Sequence, residues 1–453
     1  MLGPGIIVVI SSASAVKELL DRRSASTVDR PPMFLAQEVT GGLNMVLARH
    51  SEQWRTMRKA AHTMLTPQAT TRYMPDFRSF HLSLIVVIAR YSNSVILSVL
   101  YGKRSPRYET EDTTTFFHVQ RRWEQALELG AHPPVDMLPF LRYVPERWAL
   151  WKRISREIRE VQRGLYMKLL CECEERIRSG TQDGIPTFMD EVIKQQDELG
   201  MTREMACYLG GTLIEGGSDT TSYSLQSLVL ALTAFPEAQR KAQEEIDRVV
   251  GSDRMPNLSD FEMMPYLQAL IKETHRFRPP ATLIPHRAMQ DERYGTYLIP
   301  EGTTIMMNIW GIYHDPDAFD DPESFQPERY LKTEFGTKRG VDVNDWRRTL
   351  LFGAGRRLCP GISLANNTMK IITMNLVWGF DFRQLPGRSP VDIWSYSTGA
   401  LMGPEPYELS ITPRSLERAA IMEQGFKDAI PLFAPYEQRL SPGEKEWLYN
   451  TRK

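Results

Sequence analysis

One cysteine, Cys359, stands in the stretch FGAGRRLCPG, residues 352–361, with glycines on both sides and a helical pattern starting just after it. Glycines let a backbone turn tightly and come close to a flat ligand. Backbone N–H groups aimed at a sulfur stabilise its thiolate and tune its donor strength. Arg357, two residues earlier, is placed to pair with an anionic group on whatever the loop binds. Taken alone, such a loop would serve equally well as a structural turn around a buried thiol, so the rest of the chain has to decide.

Composition removes several alternatives. With 453 residues, 42% hydrophobic and 25% charged, the chain can bury a large core and lacks the profile of a disordered protein. Its 55 basic and 56 acidic side chains leave a net charge of -1, which gives no electrostatic case for nucleic acid as a partner. Four cysteines, at 171, 173, 207 and 359, are too few to staple a chain this long and fit a reducing compartment. The CEC pair at 171–173 has no second ligand pair nearby and sits in a helical pattern, so two ordinary thiols are expected there rather than zinc.

No stretch reaches the roughly 18 apolar residues that a membrane-spanning helix needs. The nearest, HLSLIVVIARYSNSVILSVLYG at 81–102, carries Arg90 and Asn93 near its middle, and a central arginine costs about 2.5–3.5 kcal/mol on insertion scales. A buried core helix is expected instead. The opening LGPGIIVVISSASAVKELLDRR reads as a turn, a short strand and a serine-capped helix, with no visible signal peptide or anchor.

From about Ser51 to Ile246 the spacing is mostly helical. Residues 280–306 offer two or three short strands joined by a Pro-Glu-Gly turn. A helical pattern returns from Ile362 to Trp378, and the tail from Glu417 is amphipathic. Within this frame four further patterns stand out. GGSDTT, 216–221, puts two glycines inside an apolar helical stretch, where each costs roughly 1 kcal/mol relative to alanine and space for a ligand would be a reason. ETHR sets Glu273 and Arg276 on one helical face, and FQPERY adds Arg329 downstream. WRTMR sets Trp54 and Arg58 one turn apart. LIPHRAM contributes His286.

The spacing of Phe352, Gly355, Arg357, Cys359 and Gly361 resembles the haem-binding signature of the cytochrome P-450 superfamily, and the other motifs extend that resemblance over essentially the whole chain. It implies a single domain, 1–453, mainly α with small β-sheets, with haem between the glycine-containing long helix and the cysteine loop. The implied cofactor is haem b with Cys359 as axial thiolate. Asp219 and Thr220 would relay protons for dioxygen activation. Trp54, Arg58, Arg357 and His286 would reach the propionates. Glu273, Arg276 and Arg329 would form a buried structural network.

The implied activity is monooxygenation of a hydrophobic small molecule in fungal secondary metabolism, the nearest resemblance being to the O-methylsterigmatocystin oxidoreductase-like group. Ala281–Ile284 and Gly399–Met402 would help to line the substrate pocket. A separate NADPH-dependent reductase would supply electrons, because no flavin or nicotinamide fingerprint occurs. Arg55 and Lys59, one residue on from Trp54 and Arg58, would flank the propionate-binding face and offer the reductase a basic surface, or simply form a solvated helix face. The family usually works on the cytosolic face of the endoplasmic reticulum, yet its N-terminal membrane helix, Pro-rich hinge and first strand are missing from this sequence, which leaves membrane association open. The alternatives are a haem-thiolate isomerase or dehydratase, against which the Asp219–Thr220 pair argues, and a non-enzymatic haem-binding protein.

Overall fold

The computed structural model describes residues 5–67, 84–128, 130–180 and 187–452. Helices dominate it: α1 Phe34–Thr40, α2 Glu52–Met64, α3 Leu84–Tyr101, α4 Glu111–Leu127, α5 Leu150–Ser179, α6 Arg203–Ala234, α7 Pro236–Val250, α8 Pro265–Phe277, α9 Ile362–Gly379 and α10 Leu416–Glu437. The strands are β1 Ile7–Ile10, β2 Leu283–Arg287, β3 Glu292–Tyr294, β4 Tyr297–Ile299, β5 Thr304–Asn308, β6 Phe380–Arg383 and β7 Ser410–Pro413. They form a sheet in the order β1-β5-β2 and the pairs β3-β4 and β6-β7. The chain, read from sequence as one domain, divides into two compact units. One comprises Asp29–Asp219 and the helical segment from Ala429; the other comprises Ile7–Val28 and Thr220–Asp428. Helix α6 carries the chain from the first to the second.

In the first unit, Ser51 caps α2 by accepting from the Trp54 backbone N–H, and Glu52 stands in the first turn, where an acid suits the helix dipole. The buried face of α2 holds Trp54, Met57, Arg58, Ala61 and Met64, so helical spacing carries Arg58 inward together with the apolar residues. The segment weighed as a membrane span becomes helix α3, its residues 81–83 lying outside the described ones. Its polar centre is accommodated by packing. Asn93 is fully buried, donating to Ser218 Oγ at 3.1 Å and accepting from Thr113 Oγ1 at 3.0 Å. Arg90 donates to the carbonyls of Ser105 and Pro106. Among the described residues no helix is long and apolar enough to cross a membrane. The CEC pair lies in α5, with Cys171 exposed and Cys173 buried.

In the second unit, the N-terminal strand is where the sequence puts it: β1 runs parallel to β5, Ile7 facing Thr304, and Ser12 caps the following turn. β2 lies antiparallel on the other side of β5, pairing His286 with Ile305. The core beneath this sheet joins Leu19, Leu20, Ile305, Ile312 and Phe319 to Leu350 and Ala354 at the start of the cysteine loop. Each such apolar side chain stabilises the fold by about 1.5–3 kcal/mol when fully buried.

Helix α8 supplies the unit's ionic centre. Arg276 donates from Nε and Nη2 to both oxygens of Glu273 at 2.8 and 2.9 Å, and Arg329 Nε reaches the same carboxylate at 3.1 Å. The Glu273 and Arg276 side chains are 0% exposed and Arg329 6%. Their remaining donors are spent on backbone carbonyls: Tyr313, Pro322 and Ser324 for Arg276, Asp320 and Asp321 for Arg329. Asp321 holds a left-handed φ of +42°, which non-glycine residues seldom adopt. Truncating Glu273 to alanine would leave two buried guanidiniums without their counter-charge. The expected loss is about 3–5 kcal/mol, read as a large drop in the denaturant midpoint. A loss below about 1 kcal/mol would mean that the carbonyls alone hold both arginines.

Candidate active site

The cysteine loop is two tight turns followed by a helix. Leu350–Phe352 and Gly355–Arg357 are single 3-10 turns, and the Cys359 N–H donates to the Phe352 carbonyl at 2.9 Å, closing the loop. Helix α9 begins at Ile362 with Gly361 as its cap, so Cys359 sits just ahead of a helix N-terminus, whose positive end favours a thiolate. The sulfur's residue is partly exposed, and a side chain at 361 would stand 3.8 Å from it. Glycine there leaves clearance for a group bound on the sulfur.

Gly355 corrects one sequence expectation. Its φ is +54°, as a tight turn requires, but its close neighbour is protein: a Cβ would lie 2.0 Å from the Leu20 carbonyl oxygen and 2.8 Å from Ser24 Cβ. The residue lets the loop press onto the turn after β1 rather than onto a ligand. That contact is reinforced by Asp21, which accepts from the Gly355 N–H at 2.8 Å and from Arg347, while Arg347 also donates to the Gly353 carbonyl. Sequence reading missed both residues, because a charged pair 326 positions apart leaves no local pattern. Phe352 sets its ring edge-on to His275 of α8, centroids 6.5 Å apart. Arg357 is buried and donates from Nε to the Val28 carbonyl at 2.7 Å. His286 is 2% exposed, its Nδ1 3.0 Å from the Thr27 carbonyl. This bond makes Nδ1 the protonated nitrogen, so His286 would donate to a carboxylate from Nε2 only as an imidazolium.

The two segments read as substrate-lining also lie in this unit and meet. The Met402 N–H donates to the Pro280 carbonyl at 2.8 Å. The turn around Gly403 packs so closely on Tyr223 of α6 that a Cβ would fall 2.3 Å from its ring. Ala281–Ile284 stay partly or fully exposed, Leu283 at 46%.

The first unit holds the remaining predicted residues. The Trp54 indole N–H donates to the Met45 carbonyl at 3.0 Å, whereas the sequence reading assigns it to a cofactor carboxylate. In this structure Trp54 positions the turn before its own helix. Arg58 is buried, and so is a residue that the reading overlooked, Arg30, which donates to the Val46 carbonyl at 2.9 Å. Burial, together with the Arg58 charge, pushes Arg30 down to about 10, against the pull of Asp29. The carboxylates of a haem would be of the right sign for this pair. Arg55 and Lys59 are exposed on the outer face of α2.

The two glycines of GGSDTT do different work. A Cβ on Gly216 would meet nothing within 4 Å, whereas one on Gly217 would fall 2.7 Å from Ile96. Only Gly216 therefore opens a cradle that a side chain would fill. Asp219 is buried, and burial first, then the charges of Glu124 and Glu215, push its carboxyl well above the usual carboxylate range, against a hydrogen bond from Gln120. Glu215, one turn earlier, is pushed by burial to about 7 although Tyr166 donates to it at 2.6 Å, Asn44 at 2.9 Å and Gln162 at 3.1 Å. Thr220 is partly exposed, and its carbonyl accepts from Ser224 Oγ.

The chain is similar to known proteins over most of its length. The profile of the family described as cytochrome P450 matches residues 1–411. A cytochrome P450 monooxygenase of Armillaria gallica is 40% identical over 96% of this chain and 86% of its own length. The cytochrome P450 monooxygenase macC of Penicillium terrestre is 35% identical over 94% of this chain and 85% of its own length. Among solved structures, a zebra fish cytochrome P450 described with progesterone superimposes with a TM-score of 0.74 at 27% identity, covering 91% of this chain and 95% of that one.

The glycine pair yields a prediction. Gly216→Ala should leave stability unchanged or raise it by about 0.5–1 kcal/mol through helix propensity. Gly217→Ala should destabilise by about 1–3 kcal/mol through overpacking against Ile96. Thermal denaturation of the two variants side by side checks the order, and equal shifts would refute the division of labour.

Proposed function

The chain belongs to the cytochrome P450 family, and on that footing we propose how its own residues divide the work of a haem-thiolate monooxygenase. The enzyme takes dioxygen, a small-molecule substrate and electrons from a redox partner. Haem, when bound through the Cys359 thiolate, supplies the chemistry that places one oxygen atom of dioxygen in the substrate, the thiolate's electron donation favouring cleavage of the O–O bond.

The protein's share is binding, positioning and proton supply. Cys359 is kept anionic by the end of α9, in a loop that Gly355 and Asp21 clamp to the turn after β1. In the second unit Arg357 and His286 would serve cofactor carboxylates; within the first unit, taken by itself, Arg58 and Arg30 are buried cations suited to an anionic group. Trp54 supports that set through its bond to Met45. Asp219 holds a proton and passes it on with Thr220. Gly216 leaves room beside them.

The substrate is a hydrophobic small molecule of secondary metabolism, met by the apolar stretch Ala281–Ile284 and the turn at Gly399–Met402. The reductase is NADPH-dependent and approaches the basic face at Arg55 and Lys59. The place of work is the cytosolic face of the endoplasmic reticulum. The cysteine loop carries this reading: a thiol ahead of a helix N-terminus, in a loop packed against Leu20 at Gly355.

The reduced, haem-loaded protein under carbon monoxide tests it. A strongly red-shifted Soret band is expected, absent in Cys359→Ala. A band of ordinary position in the parent, or a red-shifted band that survives in the variant, would remove Cys359 as the ligand.

A further inference from the structure

Arg278 caps the end of α8 and is 4% exposed. Its guanidinium donates from Nε and Nη2 to the Ile393 carbonyl at 3.1 and 2.8 Å, and from Nη1 to the Phe277 carbonyl at 2.7 Å. The rings of Phe277, Trp394, Trp310 and Tyr396 lie against it, their centroids 3.8, 4.4, 5.3 and 5.4 Å from its central carbon. Ring faces attract a desolvated cation, and a planar fork can reach one carbonyl with two nitrogens. A lysine ammonium has neither the plane nor the fork.

This cage touches both stretches read as substrate-lining. Residues 395–405 double back on themselves: the Ser397 N–H donates to the Gly403 carbonyl at 2.8 Å, the Glu405 N–H to the Ser395 carbonyl at 2.9 Å, and Tyr396 bridges Pro404. The base of that loop carries the cage residues Trp394 and Tyr396, and its tip is Gly399–Met402. From the other side, the Pro280 carbonyl accepts from the Met402 N–H at 2.8 Å, and the Trp310 N–H donates to the Thr282 carbonyl at 3.3 Å. Tyr396 Oη donates to Ser227 Oγ of α6 at 3.0 Å. Trp394 is 54% exposed, so the base of the loop has little apolar burial of its own and leans on the guanidinium beneath it.

We propose that Arg278 is a positioning residue for substrate specificity: by clamping the base of the 395–405 loop it sets where the tip Gly399–Met402 stands against Ala281–Ile284, and so how large a hydrophobic molecule the site admits. This rests on the reading of those two stretches as substrate-lining. Arg278 acts through the Ile393 carbonyl and the aromatic rings. Its charge is spent on them, and the specificity it confers is one of shape.

Two measurements on the haem-loaded enzyme test this. In the first, amide deuterium exchange at Ser397, Met402 and Glu405 should be roughly 10-fold faster in Arg278→Lys, the consequence of losing hydrogen bonds from a charged donor, with the amides of α9 unchanged. In the second, imidazole and phenylimidazole, nitrogen ligands of haem iron, are titrated by the shift of the Soret band. Arg278→Lys should weaken phenylimidazole roughly 10-fold and leave imidazole, too small to reach the walls, as in the parent. Trp394→Leu, a change at the surface that removes one ring of the cage, should move both readouts in the same direction by less. Exchange equal to the parent's in Arg278→Lys would overturn the clamp, and an unchanged ratio of the two dissociation constants would overturn its role in specificity. If neither azole moves the parent's Soret band, the haem reading fails, while the exchange measurement still decides the clamp.

Discussion

A carboxylate with no exposed surface survives in a protein only if its partners repay the loss of water, and Glu273 meets that condition with two guanidiniums and the Gln326 N–H. The second unit is organised by what those guanidiniums do with their other donors. Arg276 and Arg329 gather the carbonyls of five residues between Tyr313 and Ser324, a segment with little regular structure. Residue 275, between the two helical members of the network, sets its ring against Phe352. The ionic centre and the start of the cysteine loop thus share one helix.

The first unit uses carboxyls in the opposite sense. Glu215 keeps three donors and is still pushed to about 7 by burial, and burial pushes Asp219 well above the usual carboxylate range. Among the described residues neither has a cation partner of the kind Glu273 has. The same functional group is ion-paired where arginines surround it, and burial raises it where amides and hydroxyls do. That contrast suits one set to structure and the other to chemistry.

Much of this was legible beforehand, and the reason is local. The cysteine loop, the glycine pair, the Glu-Arg spacing and the caps at Ser12 and Ser51 are short patterns in which a few neighbouring residues state their own geometry. What a motif leaves out is the neighbour that lies beyond it, nine residues away for Trp54 and far along the chain for Gly355. Gly355 was read as making room for a ligand, but its neighbour is the backbone at Leu20. Trp54 was read as a cofactor donor, but its N–H is spent on Met45. Arg30, Asp21, Arg347 and Gln120 carried no motif and were not singled out.

The sequence by itself determined which family the chain joins, because the cysteine loop, the glycine-containing helix and the Glu-Arg spacing express it in side-chain identity at fixed short spacing. Tertiary structure alone decided the division of roles among similar residues. It separated Gly216 from Gly217 by the position of Ile96, and Glu273 from Asp219 by the charges packed around each. The physical reason is that steric room and the energy of a buried charge are set by atoms within a few ångströms, and folding brings most of those atoms from far along the chain.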